Sequence, residues 1–333
     1  MRVQLQKKSI ILLFSILLVT CVVGVLYFCS KSQSEVYSIY QLPMTDPDGG
    51  CCYAIEQANG TLIMIDSGYQ SDAASIRRFI EEHGGIVEAW FVTHPHFDHA
   101  GGVIQILKEE AQAVLDSKQS NITIQKVYYA PFTQEFFTTE AQGKDLQVLN
   151  SAILLSEFEE CMSYEDWKSD EQKIEFYPVG LGEKIRFGKQ ENIVVTCMNS
   201  FNEAVYDVNA NSLVLHIEID GVSFLVTGDI TDQSVTTMKE YWQDSKLWNV
   251  DMIQIPHHGY LAGISSDELY QLTMPSLAFL DCSTNEYETD AVGIRQHLKW
   301  LELLEIPILK RFEKTNQVQI RTGWFRSTYK TAG

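Results

Sequence analysis

Apolar positions along the chain form three kinds of run, and each predicts a different element. The first, Ser9 to Cys29, is apolar or small throughout and carries no charge. It is long enough to cross a bilayer as one helix. Arg2, Lys7 and Lys8 precede it and only Lys31 closely follows, a bias that leaves the N-terminus in the cytoplasm and the rest of the chain outside. A cleaved signal peptide is the competing reading, but the run exceeds a usual signal core and no small-x-small site follows it. The pattern predicts a cytoplasmic stub over 1–8, a retained single-pass anchor over 9–29 and a linker over 30–48, where Pro43 and Asp46-Pro47-Asp48 mark turns.

The second kind of run is short and continuous. Cys52–Glu56 and Thr61–Ile65 flank Asn59-Gly60 as a strand pair, and the second of them lacks alternation, as expected of a strand covered on both faces. Further strands are expected at 88–92, 124–130, 173–178, 184–187, 193–198, 212–219, 222–226, 251–255 and 276–281. The third kind has helical spacing: Ile76, Phe79 and Ile80 stripe a helix over 71–83, with others at 101–116, 231–243 and 290–304. Two closing strands follow. Residues 131–170 break the rhythm, being rich in acids and aromatics with a helical pattern near Leu146–Phe158, and read as an insertion. Strand pairs alternating with helices predict an α/β fold, two mixed sheets packed together with helices outside, over 49–325.

The ends of the continuous runs carry the chemistry. Thr93-His94-Pro95-His96-Phe97-Asp98-His99-Ala100-Gly101-Gly102 follows Ala89–Val92 directly and holds three of the chain's 8 histidines. His94 and His96, two apart at a strand end, leave on the same side, and Pro95 suits a strand that must stop and turn. Asp98 and His99 open the next helix, where Gly101-Gly102 admits close backbone approach. Neutral imidazoles with a carboxylate suit Zn²⁺, and Mn²⁺ or Fe are compatible by ligand type. Thr227-Gly228-Asp229 ends the strand Phe224–Val226; such a carboxylate can bridge two cations, or simply cap a helix. Pro256-His257-His258-Gly259 ends the strand Met252–Ile255 in the same manner.

In this order, strand-Asp66-x-Gly68, His-x-His-x-Asp-His, Thr-Gly-Asp and His-His-Gly resemble the metallo-β-lactamase superfamily. Asn209-x-Asn211-Ser212-Leu213-Val214-Leu215 before the Thr-Gly-Asp strand narrows the resemblance to the branch of ComEC-like competence domains and phosphorylcholine esterases. It spans about residues 36 to 323. The resemblance implies a two-metal αββα hydrolase in which His94 and His96 hold one cation, Asp98 and His99 the other, Asp229 bridges, and His258 of the His257-His258 pair completes the second site. Asp66 would orient the histidine loop from behind. His257 would face the substrate as hydrogen-bond or proton donor, with Asn211 in similar work. A water shared by the two metals, deprotonated near neutral pH, would attack phosphorus or a carbonyl, with Asp98 as partner for the proton. One departure matters: members with a third histidine at the first site carry it between these motifs, and here that interval holds only His216, expected to be an exposed strand residue. A ligand-poor first site weakens the glyoxalase and true β-lactamase readings.

Composition sharpens the choice of substrate. The chain has 44 acidic against 25 basic residues, an acidic surface that discourages nucleic acid as a partner. Of the 7 cysteines, two lie in the anchor run. Cys161, Cys197 and Cys282 read as buried small hydrophobes, and Cys51-Cys52 as packing, with a disulfide to another cysteine left open. An extracytoplasmic phosphodiesterase acting on a cell-envelope or small-molecule diester fits the anchor and the narrower resemblance. A cationic head such as choline would suit aromatic surroundings, and Phe132, Phe136, Phe137, Tyr164 and Trp167 offer them, although aromatics of a helical insertion ordinarily just pack. A ComEC-like nuclease and a non-catalytic binding protein on an inherited metal fold are the alternatives.

Overall fold

The continuous apolar strands become the centres of two sheets. In the computed structural model, the described residues are 19–20, 35–46, 49–138, 146–164, 173–188, 190–243, 245–310, 314–323 and 327–332. The chain first lays down β1 (Val36–Gln41), β2 (Cys52–Glu56), β3 (Leu62–Asp66), β4 (Ile86–Val92), β5 (Thr123–Ile124), β6 (Lys126–Tyr129) and β7 (Glu175–Pro178). It then crosses to β8 (Lys184–Phe187), β9 (Ile193–Asn199), β10 (Val214–Ile219), β11 (Val222–Val226), β12 (Met252–Gln254), β13 (Leu277–Leu280) and β14 (Ile308–Lys310), and returns with β15 (Asn316–Arg321) and β16 (Thr328–Ala332). The first sheet runs β16-β15-β1-β2-β3-β4-β6-β7, with β5 beside β4; the second runs β14-β13-β12-β11-β10-β9-β8.

Helices α1 (Ala73–Glu82), α2 (Phe97–Leu115), α3 (Gln134–Thr138) and α4 (Leu146–Ser163) accompany the first sheet, and α5 (Asp232–Tyr241), α6 (Glu268–Thr273), α7 (Thr284–Thr289) and α8 (Ile294–Leu303) the second. Three apolar layers follow from alternation along the strands. Ile63, Ile65 and Phe91 face Leu215, Phe224 and Phe279 between the sheets. Leu62, Met64 and Trp90 face Ile76, Ile80 and Leu107 of the helices, and Leu225 and Ile253 face Val235, Met238 and Leu301 on the far side. Both sides of β3 and β11 are covered, which is why their sequences are unbroken apolar runs.

Several expectations change. Residues 36–41, assigned to the linker, are β1, paired antiparallel with β15 and β2; polar and turn-forming neighbours over 33–35 and 43–48 hide an alternation that the returning C-terminal strand completes. The ordered fold also passes 325, since β16 ends at Ala332. Helix α2 begins at Phe97 rather than near 101, so Gly101-Gly102 lie inside its first turns. The helix expected over 290–304 is α8, starting at Ile294, and an unexpected short helix, α7, precedes it across Asp290 at φ 54° and Gly293 at φ 83°. The anchor expected over 9–29 lies outside the described residues apart from Val19 and Thr20; among the described residues no helix is long and apolar enough to cross a membrane.

Gly102 shows why that pair sits in the helix. The first turns of α2 press on the turn after β3: the Ser67 hydroxyl donates to the His99 carbonyl at 2.7 Å and accepts from Val103 N–H at 2.8 Å, and Gly102 N–H donates to the Gly68 carbonyl at 3.1 Å. A methyl on Gly102 would stand 2.2 Å from the Ser67 carbonyl oxygen. Gly102→Ala gains about 1 kcal/mol of helix propensity and loses about 1–3 kcal/mol to overpacking. We expect a net loss, read as a lower midpoint in urea unfolding followed by circular dichroism; a raised midpoint would show that the contact is slack.

Candidate metal centre

Four strands end at one edge and deliver the cluster. Parallel pairing of β3 with β4 sets Asp66 beside the histidine loop, and parallel pairing of β11 with β12 sets Asp229 beside His257-His258. The sheets bring the two halves face to face. His94, His96 and Asp229 form one group of potential ligands and Asp98, His99, Asp229 and His258 a second, the donor atoms of each lying within 4.8 Å of one another. Asp229 belongs to both. Its Oδ1 is 3.1 Å from His99 Nε2, and its Oδ2 is 3.7 Å from His94 Nε2 and 3.5 Å from His258 Nε2. Asp98 Oδ2 lies 3.1 Å from His258 Nε2.

Hydrogen bonds from behind fix which nitrogen of His94 and of His99 is bare. Thr93 donates its backbone N–H to Asp66 Oδ1 and its hydroxyl to Asp66 Oδ2, both at 2.8 Å. His99 Nδ1 is 2.7 Å from Asp66 Oδ2, so that nitrogen carries the proton and Nε2 presents its lone pair inward. The Thr93 hydroxyl, its proton directed to Asp66, can only accept from His94 Nδ1 at 3.0 Å, and Ser212 Oγ stands 3.2 Å from the same nitrogen. His94 Nε2 is then bare, buried and without a partner. Asp66 itself holds φ at 54°, and Trp90 Nε1 donates to its carbonyl at 3.0 Å.

This leaves lone pairs aimed at one another. His99 Nε2 faces His258 Nε2 at 3.2 Å and Asp229 Oδ1 at 3.1 Å. A proton can relieve one such contact; a cation relieves all of them together. The donor set therefore fits a pair of metal ions, with oxygen and imidazole ligands of the kind Zn²⁺, Mn²⁺ and Fe accept.

The electrostatics say the same. Burial alone would lower the pKa of His99, yet the carboxylates of Asp229, Asp66 and Asp98 raise it well above the ordinary value. His258 is raised against its burial to about 10 by Asp229 and Asp98. Asp98 and Asp229, which burial would raise, are pulled well below the usual range, His99 leading in both cases. Burial lowers His94, His96 and His257, which stay neutral and available as donors.

Asn211 is not where the sequence reading put it. Its Oδ1 accepts Asn202 N–H at 2.7 Å and its Nδ2 donates to the carbonyls of Val205 and Asp207 at 2.7 and 3.0 Å. Both ends of the amide brace the loop 202–208. Asn209 instead reaches the centre, its Nδ2 3.3 Å from His257 Nε2. His216 is 4% exposed, not a surface residue: it pairs with Leu225, which lies in the layer under the helices, and burial lowers its pKa to about 4. Thr93, Ser212 and Asn209 stand inside the motifs read from the sequence, but no role was assigned to them there. Phe132, Phe136 and Phe137 are buried and pack on one another and on Phe201, while Phe132, Leu155 and Phe158 line a small cavity against His94. Tyr164 donates to Glu160, and Trp167 lies outside the described residues. Cys51, Cys52, Cys161, Cys197 and Cys282 are all buried as thiols rather than joined in disulfides.

Comparison with known proteins points the same way. Residues 45–115, which include Asp66 and the histidine loop, match the family model described as the metallo-beta-lactamase superfamily. A hydroxyacylglutathione hydrolase of Salmonella arizonae is 35% identical over 60 residues, 18% of this chain; the chain spans only 23% of that enzyme's length. Among solved structures, a variant of the CmlA β-hydroxylase aligns with a TM-score of 0.50 at 11% identity, over 84% of this chain and 53% of its own. The metallo-beta-lactamase fold protein YhfI of Bacillus subtilis aligns with a TM-score of 0.48 at 10% identity, over 89% of this chain and 100% of its own. The family match and the two-sheet architecture support the metallo-β-lactamase superfamily and, with the clusters above, a metal-binding fold of that kind.

Two outcomes are expected. Asp66→Asn frees the His99 ring, and removal of such a partner weakens metal binding by about 10–100-fold, measurable by chelator competition. A His258 raised to about 10 stabilises the metal-free fold below pH 6.5 in full, and that contribution fades as pH rises toward 10. Metal affinity moves oppositely, rising over the same window as protons cease to compete. Thermal melts with and without chelator across that range should diverge; parallel slopes would contradict the shared site.

Proposed function

We propose that this chain is a metal-dependent hydrolase of phosphodiesters, related to the ComEC-like and phosphorylcholine esterase branch and held outside the membrane by the run 9–29. The observation that carries the reading is a single carboxylate, Asp229, common to both donor groups. Two divalent cations held there would lower the pKa of a water between them and neutralise charge gathering on the scissile group.

The chain's own residues set the rest. His94, His96 and Asp229 would hold the first cation with three donors, and Asp98, His99, Asp229 and His258 would hold the second with four. The poorer first set leaves more room for a substrate oxygen. Asp98, its carboxyl held low by His99 and His258, accepts a hydrogen bond from the attacking water and orients it better than it could store a proton. His257 is neutral and partly exposed, with Asn209 against its Nε2 and Asp229 Oδ2 at 3.8 Å. Its neutral ring is placed to give a hydrogen bond to the departing alkoxide. The net charge of −19 disfavours nucleic acid and suits small diesters or envelope components.

Thioester hydrolysis is the second reading, favoured by the short similarity to a hydroxyacylglutathione hydrolase. The missing third histidine weighs against it, since His216 is buried on the other face of its sheet.

The full chain in detergent, loaded with Zn²⁺ or Mn²⁺, should be offered bis-p-nitrophenyl phosphate, p-nitrophenyl phosphorylcholine, a thioester, a lactone, nitrocefin and single-stranded DNA. We expect turnover of the phosphodiesters, lost by about 10³-fold or more, roughly 4 kcal/mol, in Asp229→Asn with its circular dichroism intact. Turnover of the thioester or lactone alone would sink the phosphodiester assignment, and turnover of none would favour a binding role.

A further inference from the structure

Behind the cluster lies a row of fully buried polar side chains outside the two donor groups that share Asp229. The ladder between β11 and β12 joins Phe224 and Leu225 to Met252 and Ile253 and stops before the Thr227-Gly228-Asp229 turn. Gln254 takes over where it stops. Its Oε1 accepts the backbone N–H groups of Thr227 and of Gly228, each at 3.0 Å, the two residues before the shared carboxylate. Gly228, at φ 56°, in turn accepts the N–H of His257 on its carbonyl at 3.1 Å.

The other end of Gln254 reaches across to the first sheet. Its Nε2 donates to Cys51 Sγ at 3.5 Å, and the Cys51 thiol donates onward to Asp281 Oδ2 at 3.9 Å. Asp281 also accepts from the Tyr53 hydroxyl and from Gln41 Nε2, both at 2.7 Å. Meanwhile the backbone of Cys51 holds the other half of the centre: its N–H donates to the Asp98 carbonyl and its carbonyl accepts Gly68 N–H, each at 2.9 Å. A side-chain amide, a thiol and a carboxylate buried together are costly unless every group is partnered. Apolar residues of like volume would pack here at less risk.

We infer that Gln254 and Cys51 are positioning residues that set the separation between the two halves of the metal centre. Gln254 fixes the Asp229 turn in the second sheet, and Cys51 ties it to the loop that carries Asp98 and His99 in the first. Neither belongs to the two donor groups that share Asp229, although Cys51 Sγ also lies with Asp66 and His99 in a third group of potential donors. The inference rests on the two-metal reading above, and it predicts that disturbing this couple changes the spacing of the cations before it changes the fold.

The test uses the full chain in detergent, titrated with Mn²⁺ and followed by electron paramagnetic resonance, whose exchange coupling reports how far apart two Mn²⁺ ions sit. The wild type should show a coupled pair. Gln254→Leu should still take up two Mn²⁺, with altered coupling, a second binding step weakened about 10–100-fold, and a fall in kcat with little change in KM. Cys51→Ala should move the coupling in the same direction, while Cys51→Ser, which keeps a donor and an acceptor, recovers most of it. Where Gln254→Leu does not fold, the Cys51→Ala and Cys51→Ser comparison decides alone. Unchanged coupling in folded Cys51→Ala and Gln254→Leu overturns the positioning role while leaving the hydrolase reading intact. Absence of a coupled pair in the wild type would instead remove both.

Discussion

The crowding of buried donor atoms from His94, His99, His258 and Asp229 is the constraint on which the site depends. It exists because Asp66 and Thr93 take the Nδ1 side of His99, and Thr93 with Ser212 takes that of His94, so the tautomers are chosen from behind. A buried nitrogen without a partner costs about 1–3 kcal/mol, and several of them converge here. Only positive charge reconciles them. The same carboxylates that pull His99 and His258 toward protonation in the metal-free protein are those that would favour cations in their place. Metal binding and proton release are therefore two descriptions of one equilibrium.

The sheets exist, in this view, to hold that crowding in register. Each motif sits one or two residues past the end of a strand buried on both faces, where the backbone is most rigid. Tyr53, Phe224 and Phe279 interlock between the layers with ring centroids 5.2–5.7 Å apart, so the first sheet cannot slide on the second without opening an aromatic cavity. Asp66 and the histidine loop thus keep a fixed relation to Asp229 and His258 although they belong to different sheets. The row from Gln254 through Cys51 to Asp281 adds directional bonds to a contact that is otherwise apolar and without direction.

How much of this was legible in the sequence depended on which physical cause left a local trace. Burial on both faces writes itself as unbroken apolar runs, so β3, β4, β11 and the layered fold could be read directly. Ligands at strand ends come as contiguous motifs, so His94, His96, Asp98, His99, Asp229 and the His257-His258 pair could be named as candidates, and the structure gathers them. What failed had a distant partner. Strand β1 owes its place to β15, some 280 residues on, and its own alternation is flanked by turn-forming residues. Asn211 and Asn209 have the same chemistry two positions apart, and only the course of the loop 202–208 decides which one turns inward. His216 was misjudged because exposure of a strand face depends on the helix layer laid over it. Gln254 carried no pattern, being a single polar residue in an apolar run, and the Cys51-Cys52 pair read only as packing because its partners Gln254 and Asp281 lie in the other sheet's half of the chain.

Backbone strain completes the account of why the second half of the centre is built as it is. His257 and His258 both hold left-handed backbone, at φ 49° and 54°, which costs an L-residue about 1–2 kcal/mol each. Asparagine or glycine would sit there more easily, but neither could supply an imidazole. The tight turn sends His258 down toward Asp98 and Asp229 while His257 stays beside Asn209, so consecutive residues serve different tasks. The strain is borne by neighbours: Gly228 accepts the His257 N–H, Tyr260 N–H donates to the His257 carbonyl at 2.7 Å, and Gly259 absorbs a third left-handed step at φ 85°. A cation bound by His258 would draw on the same geometry. The fold thus pre-forms the ligand turn at a cost in stability, and the turn's anchorage through Gly228 to Gln254 links that cost to the carboxylate shared by both donor groups.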